Sequence, residues 1–204
     1  MKTGTKSLLF GVHQIFWHPV TVWLAWVWLN KSLPTWKECI CIIIHDWGYW
    51  GKEHMDDEEG EKHPEIGALI AHCLLDDKKL KVWIEGYDKY GKTALTEKYY
   101  IETTYHDLCL LHSRHYARNL KREPSRLCWA DKASILFDPW WLYLPRAWLS
   151  GELFEYRDIA ANTGFVPLSK THRQWFTWIK KRLSTLSKEK RGDVVPYANP
   201  KRSL

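Results

Sequence analysis

Ile42-Ile43-Ile44-His45-Asp46-Trp47-Gly48 is an apolar run that ends abruptly in a histidine and a carboxylate, and its reading decides the fold. If the run is the end of a buried helix, the two polar side chains stand about 100° apart on it and can close on one cation from adjacent positions. A His-Asp pair at a helix end is equally able to be a plain hydrogen-bonded pair. The surrounding chain has to separate these readings.

Immediately upstream, Ser32-Leu33-Pro34 reads as the start of that helix, with Trp36, Ile40, Ile43 and Ile44 marking a buried side. Gly48 and Gly51 terminate it. Further back, Val22, Leu24, Ala25, Trp28 and Leu29 form the inward face of another helix, which has His18 at its start and Pro19 early in it. Segment 10–29 follows Lys2 and Lys6 as the apolar region of a signal peptide would, but His13, Gln14, His18 and Pro19 interrupt it. The apolar run that remains is about ten residues, short of the ~20 needed to span a bilayer.

Downstream, residues 52–62 carry Asp56, Asp57, Glu58, Glu59 and Glu61 and read as a solvated loop. His63-Pro64-Glu65 then opens a helix with proline in its first turn, where the missing N–H costs nothing, and Ile66, Ala68, Leu69 and Ala71 follow. The stretch 76–96 is charged and glycine-punctuated, a connection with a short helix around 82–90. A helix over 97–119 would put Ile101, Tyr105, Leu108, Cys109 and His112 on one stripe. Pro124-Ser125 caps a helix through Leu136 that places Asp131 among apolar neighbours, where an uncompensated charge costs several kcal/mol. The aromatic segment 138–145 is core by default, and 150–169 reads as loop-rich. Residues 174–186 form a basic amphipathic helix with Trp175, Trp178, Ile179 and Leu183 on one face, and the last dozen residues read as mobile. No convincing strand run is present, so the expected class is all-α.

A chain of 204 residues is long enough for one domain burying roughly 70% of its unfolded surface. Its five cysteines (Cys39, Cys41, Cys73, Cys109 and Cys128) contain no C-x-x-C, which argues against a disulfide framework or a zinc knuckle and for a reducing, cytoplasmic setting. Residues 170–204 carry ten Lys/Arg against Glu189 and Asp193. The net charge of +6 therefore describes a basic C-terminus and leaves the remainder slightly acidic.

His18, His45, Asp46, His63, His112 and Asp131 all fall at helix starts, ends or inward faces. Four imidazoles and two carboxylates suit borderline divalent cations better than calcium. Their order resembles the HD-domain superfamily of metal-dependent phosphohydrolases: a histidine, a His-Asp doublet 27 residues on, two later histidines and a final aspartate. Ile43-Ile44-His45-Asp46-Trp47-Gly48 is similar to the hydrophobic-HD-x-G signature, and His63-Pro64-Glu65-Ile66-Gly67-Ala68 to the H-x-x-x-G-A element of dinuclear members. Leu110-Leu111-His112-Ser113 and Trp129-Ala130-Asp131-Lys132 resemble the I-x-x-H-[ST] and A-D-K elements, 19 residues apart from His112 to Asp131. The resemblance covers residues 13–137. It departs where many members carry Lys or Glu three residues after the doublet, since Tyr49 stands here, and it does not reach the Trp-rich segment or the tail.

The resemblance implies an HD-type metal-binding helical bundle over residues 1–150, followed by a Trp-rich C-terminal helical extension over 151–186 and a basic tail over 187–204. It implies two divalent ions (Fe, Mn, Co, Ni or Zn, with Mg admissible) bridged by Asp46. One would be held also by His18, His45 and Asp131, the other by His63 and His112, with Asp46, His63 and His112 central to catalysis. A metal-activated hydroxide would attack phosphorus in a nucleotide or related phosphate ester. Lys52, Arg114, His115, Arg118 and Lys132 are the candidates for contacting substrate phosphate, and Trp47, Tyr49, Trp50, Trp140 and Trp141 for stacking on a base. The same ligand set also fits an HD-fold di-iron oxygenase. A third reading is a module whose basic tail binds nucleic acid or acidic lipid.

Overall fold

The computed structural model describes residues 1–55, 57–76, 79–87, 93–101, 104–164, 167 and 170–191. The expected mobile last dozen residues lie outside these, as does Asp56. The body of the molecule is helical: α1 (Thr3–Phe10), α2 (Trp17–Asn30), α3 (Trp36–Ile44), α4 (Pro64–Leu75), α5 (Thr104–Leu110), α6 (Arg114–Asn119), α7 (Arg126–Ser134), α8 (Trp140–Ser150), α9 (Glu152–Asn162) and α10 (His172–Arg191). No described helix is long and apolar enough to cross a membrane.

Local chemistry sets the helix boundaries. Thr35 and Glu38 close a capping box at the start of α3, each satisfying a backbone N–H near the other. Pro64 occupies the first turn of α4, and Ser113 and Ser125 cap α6 and α7 through their hydroxyls. The main core joins α2, α3, α4, α5 and α7 through Val22, Trp26, Cys41, Ile42, Ala71, Cys109 and Leu127. A second core joins Val12 to α8, α9 and α10 through Tyr143, Ala147, Leu153, Trp175 and Phe176.

Several expectations need correction. Between α4 and α5 the chain forms an antiparallel hairpin, β1 (Lys79–Tyr87) with β2 (Thr93–Ile101), pairing Lys79 with Ile101 and Tyr87 with Thr93. The short helix expected around 82–90 is therefore replaced by strand as far as Tyr87. The helix expected over 97–119 is instead a strand followed by two short helices, with His112 at the break between them. Asp76 pins the base of the hairpin, because its two carboxylate oxygens accept from the Tyr105 and His106 N–H groups at the start of α5. The stretch 150–169 is mostly the regular helix α9.

The buried faces of α2 and α3 keep Val22, Ala25 and Ile44, with Trp28, Leu29 and Ile40 packed partly buried against the core, but differ from the expected ones at three positions. His18, Thr21, Val22, Ala25 and Trp26 face inward on α2, while Leu24 is exposed. On α3, Trp36 and Ile43 are exposed, and burial runs through Cys41, Ile42 and Ile44. Both segments are apolar nearly all round, so periodicity alone does not fix which side meets the core. In the segment taken as core by default, Trp140 and Trp141 are exposed and Tyr143 is buried.

Candidate metal centre

The main core brings four helix termini and one helix face to a single point. His18 sits in the first turn of α2, and His45 and Asp46 follow the last turn of α3. His63 precedes α4, His112 lies between α5 and α6, and Asp131 projects from α7. Close backbone approach makes this possible. A Cβ on Gly48 would stand 1.9 Å from the His63 carbonyl oxygen, and one on Gly67 would stand 2.7 Å from that of Ile44. Only glycine lets the chain after the doublet lie on the start of α4.

Asp46 is the hub. Its Oδ2 lies 3.1 Å from His18 Nε2 and 3.2 Å from His45 Nε2, while its Oδ1 lies 3.3 Å from His112 Nε2 and 3.6 Å from His63 Nε2. Asp131 Oδ1 joins the first side, 3.2 Å from His18 Nε2 and 4.0 Å from His45 Nε2. On the second side the His63 and His112 Nε2 atoms are 3.0 Å apart. Two donor groups result, His18/His45/Asp46/Asp131 and Asp46/His63/His112, each with its ligand atoms within 4.8 Å of one another.

The orientation of three of the rings has a common cause. Nδ1 of His45, His63 and His112 each faces the carbonyl oxygen three residues earlier, that of Ile42, Gly60 and Cys109 respectively. A proton held at Nδ1 leaves the Nε2 lone pair free to ligate, the usual outer contact of a metal-bound histidine. Tyr49 stacks on His63 with ring centroids 3.9 Å apart and a 14° interplanar angle, which fixes that ring further.

The donor set passes the test of fit to a cation. His18 Nε2, His45 Nε2 and Asp46 Oδ2 are buried and meet one another at 3.1–3.2 Å without a well-directed hydrogen bond, a costly arrangement unless something else satisfies them. These buried groups could hold a metal ion. The ionisation of Asp46, Asp131, His45 and His63 is correspondingly perturbed. Burial opposes charge on both carboxylates, yet His45 and His13 hold Asp46 well below the carboxylate range, and His18 and His45 do the same for Asp131. Burial opposes charge on His45 too, but Asp46 and Asp131 override it and raise the imidazole to about 10. His63 goes the other way, pushed well below its ordinary value by burial and by His112.

Next to these groups is a cavity of about 230 Å³ lined by Asp46, His63, His112 and Asp131 together with Arg114, His115, Arg118 and Lys132. Of the expected phosphate contacts, Lys52 is not among the lining residues, and its ammonium lies 3.1 Å from Glu59. Of the five aromatic residues expected to stack on a base, Tyr49 lines the cavity, whereas Trp47, Trp50, Trp140 and Trp141 stand outside it on the exposed surface.

Among the lining residues, His13, Glu61 and Tyr156 have no role that the sequence assigns. His13 reads there only as an interruption of an apolar segment, Glu61 as part of a solvated loop and Tyr156 as part of a loop-rich stretch; all three reach the cavity. Glu152, wholly buried at the start of α9, lies 2.8 Å from His13 Nδ1. The only early signal was a histidine five residues ahead of His18.

No family model matches the chain, and neither a curated protein nor a solved structure does.

Proposed function

We propose that the protein is a metal-dependent phosphohydrolase of the HD-domain type, acting on a nucleotide or related phosphate ester. The observation that carries this reading is Asp46, a single carboxylate whose two oxygens face separate histidine groups. A bridging carboxylate between two N/O donor sets suits a pair of divalent transition metals such as Fe, Mn, Co, Ni or Zn. When bound, such a pair supplies charge neutralisation at phosphoryl oxygens and lowers the pKa of water from 15.7 to about 7.

The chain's own residues do the rest. His18, His45, Asp46 and Asp131 would hold one ion, and Asp46, His63 and His112 the other. The carbonyls of Ile42, Gly60 and Cys109 keep three of the rings turned inward. Arg114, Arg118 and Lys132 place cations along the cavity wall, where they would bind and orient substrate phosphate. Glu61 shares that wall and takes a hydrogen bond from Ser113, which would hold the chain after His112 in place.

The test is a panel of nucleotides, phosphomonoesters and phosphodiesters screened with Mn, Co, Ni, Fe and Mg, with Asp46→Ala as control. Metal-dependent phosphate release or ester cleavage that disappears in the control is the expected result. Substrate-dependent oxygen consumption by iron-loaded protein, without hydrolysis, would replace this reading with an oxygenase.

A further inference from the structure

Glu152 is a heavily engaged carboxylate outside the candidate metal centre. Its Oε1 accepts from Ser7 Oγ at 2.7 Å and from the Tyr156 hydroxyl at 3.3 Å, and lies 2.8 Å from His13 Nδ1. Its Oε2 accepts from the Val12 N–H at 2.9 Å and from Ser150 Oγ. The donors come from α1, the segment after it, the end of α8 and α9, and the residue is 0% exposed. A buried charge held by five donors is fixed in position, so the imidazole bonded to it is fixed too.

His13 carries that rigidity into the cavity. Its ring lies edge-on to His18 at 5.1 Å and tilted against Tyr49 at 5.1 Å, and it lines the same space as Asp46, His63, His112 and Asp131. With Nδ1 committed to Glu152, Nε2 is the nitrogen available to a bound molecule. The arrangement has the form of an acid–base imidazole oriented by a third group.

We propose, resting on the hydrolase reading, that His13 is a catalytic residue that donates its Nε2 proton to the leaving-group oxygen, and that Glu152 is the positioning residue that aims it. A water oxygen bonds to phosphorus as the bond from phosphorus to the leaving oxygen breaks. That bond's electron pair stays on the leaving oxygen, which takes the Nε2 proton. The proton released by the attacking water restores His13 through solvent, so the products are the alcohol and phosphate. The C-terminal extension thereby supplies part of the active centre through Glu152 and Tyr156.

A proton donor matters most when the leaving group is a poor one. The manganese-loaded wild type, His13→Asn and Glu152→Gln are compared on 4-nitrophenyl phosphate, whose leaving group needs no proton, and adenosine 5′-monophosphate, whose ribose oxygen does. In His13→Asn, turnover of the nucleotide should fall by about 10²–10⁴-fold, the usual contribution of a positioned acid. Turnover of the aryl ester should fall by less than about tenfold, below the range that a positioned acid contributes. Glu152→Gln should show the same selectivity at smaller amplitude. Metal content per chain should match the wild type in both, and a far-downfield proton on His13 Nδ1 in the metal-free protein should vanish in Glu152→Gln.

Equal losses on the two esters in an active, metal-replete His13→Asn overturn the assignment of His13 and leave the hydrolase reading standing. A wild type that binds metal and hydrolyses neither these two esters nor any other member of the panel, with any of the five metals, ends both. If Glu152→Gln does not fold, His13→Asn decides the question alone.

Discussion

The two halves of the candidate metal pocket share a residue type, a depth of burial and the same Asp46, yet they treat a proton in opposite ways. In the first half, His45 faces both Asp46 and Asp131, and its imidazole is raised to about 10 although burial opposes this. In the second half, His63 is pushed well below its ordinary value by burial and by His112, with Asp46 the main support for its charge. A second carboxylate beside His45 and a neighbouring imidazole beside His63 decide the outcome. A cation entering the first half has to displace a proton from His45, whereas one entering the second meets an imidazole that is already neutral.

The largest expected effect comes from removing what the halves share. Asp46→Ala should take the protein from two bound ions to none and abolish turnover, as read by elemental analysis and phosphate release; two retained ions would mean that the bridge is not a bridge. Asp131→Ala and His63→Ala act on one half each and should leave a single ion per chain. If His63→Ala keeps both ions, the halves are not separate sites.

Titration sharpens the contrast further. Because His45 stays protonated up to about 10, apparent affinity in the first half should rise by about tenfold per pH unit through neutrality, with one proton released per ion. His63 is neutral well below its usual range, so its own proton should add no pH dependence to affinity in the second half near neutrality. Calorimetry in buffers of different ionisation enthalpy counts the released protons, and identical counts at the two sites would erase the distinction. The smallest effect lies outside the pocket. Asp76→Ala removes the carboxylate that accepts from two N–H groups of α5, and should cost about 1–2 kcal/mol in denaturant melts while metal content stays unchanged.

Most positions of the six candidate ligands were legible from local signals, such as a proline in a first turn or an apolar run cut short by His45 and Asp46; His112 read as part of one continuous helix and falls instead at a break. Helix faces were less legible. In α2, apolar residues occur on every side, and tertiary packing selects Trp26 over Trp28. The hairpin did carry a signal, since Leu80, Val82 and Ile84 alternate with Lys79, Lys81 and Glu85, but the glycines and charges around it drew the reading toward a connection. Glu152 was beyond local reading altogether. A glutamate after a glycine at a helix start is ordinarily solvated, and the groups that justify burying this one include Ser7 and Val12, about 140 residues away in the chain.

That separation has a consequence for the order in which the molecule is assembled. All six ligands lie between residues 18 and 131, so the metal pocket's own parts have left the ribosome before α8 and α9 follow. His13 is synthesised more than a hundred residues before its partner, a contact of high sequence separation that closes only after much chain has been ordered. A nascent or truncated chain ending before Glu152 would therefore possess the ligands for metal while lacking the carboxylate that holds His13.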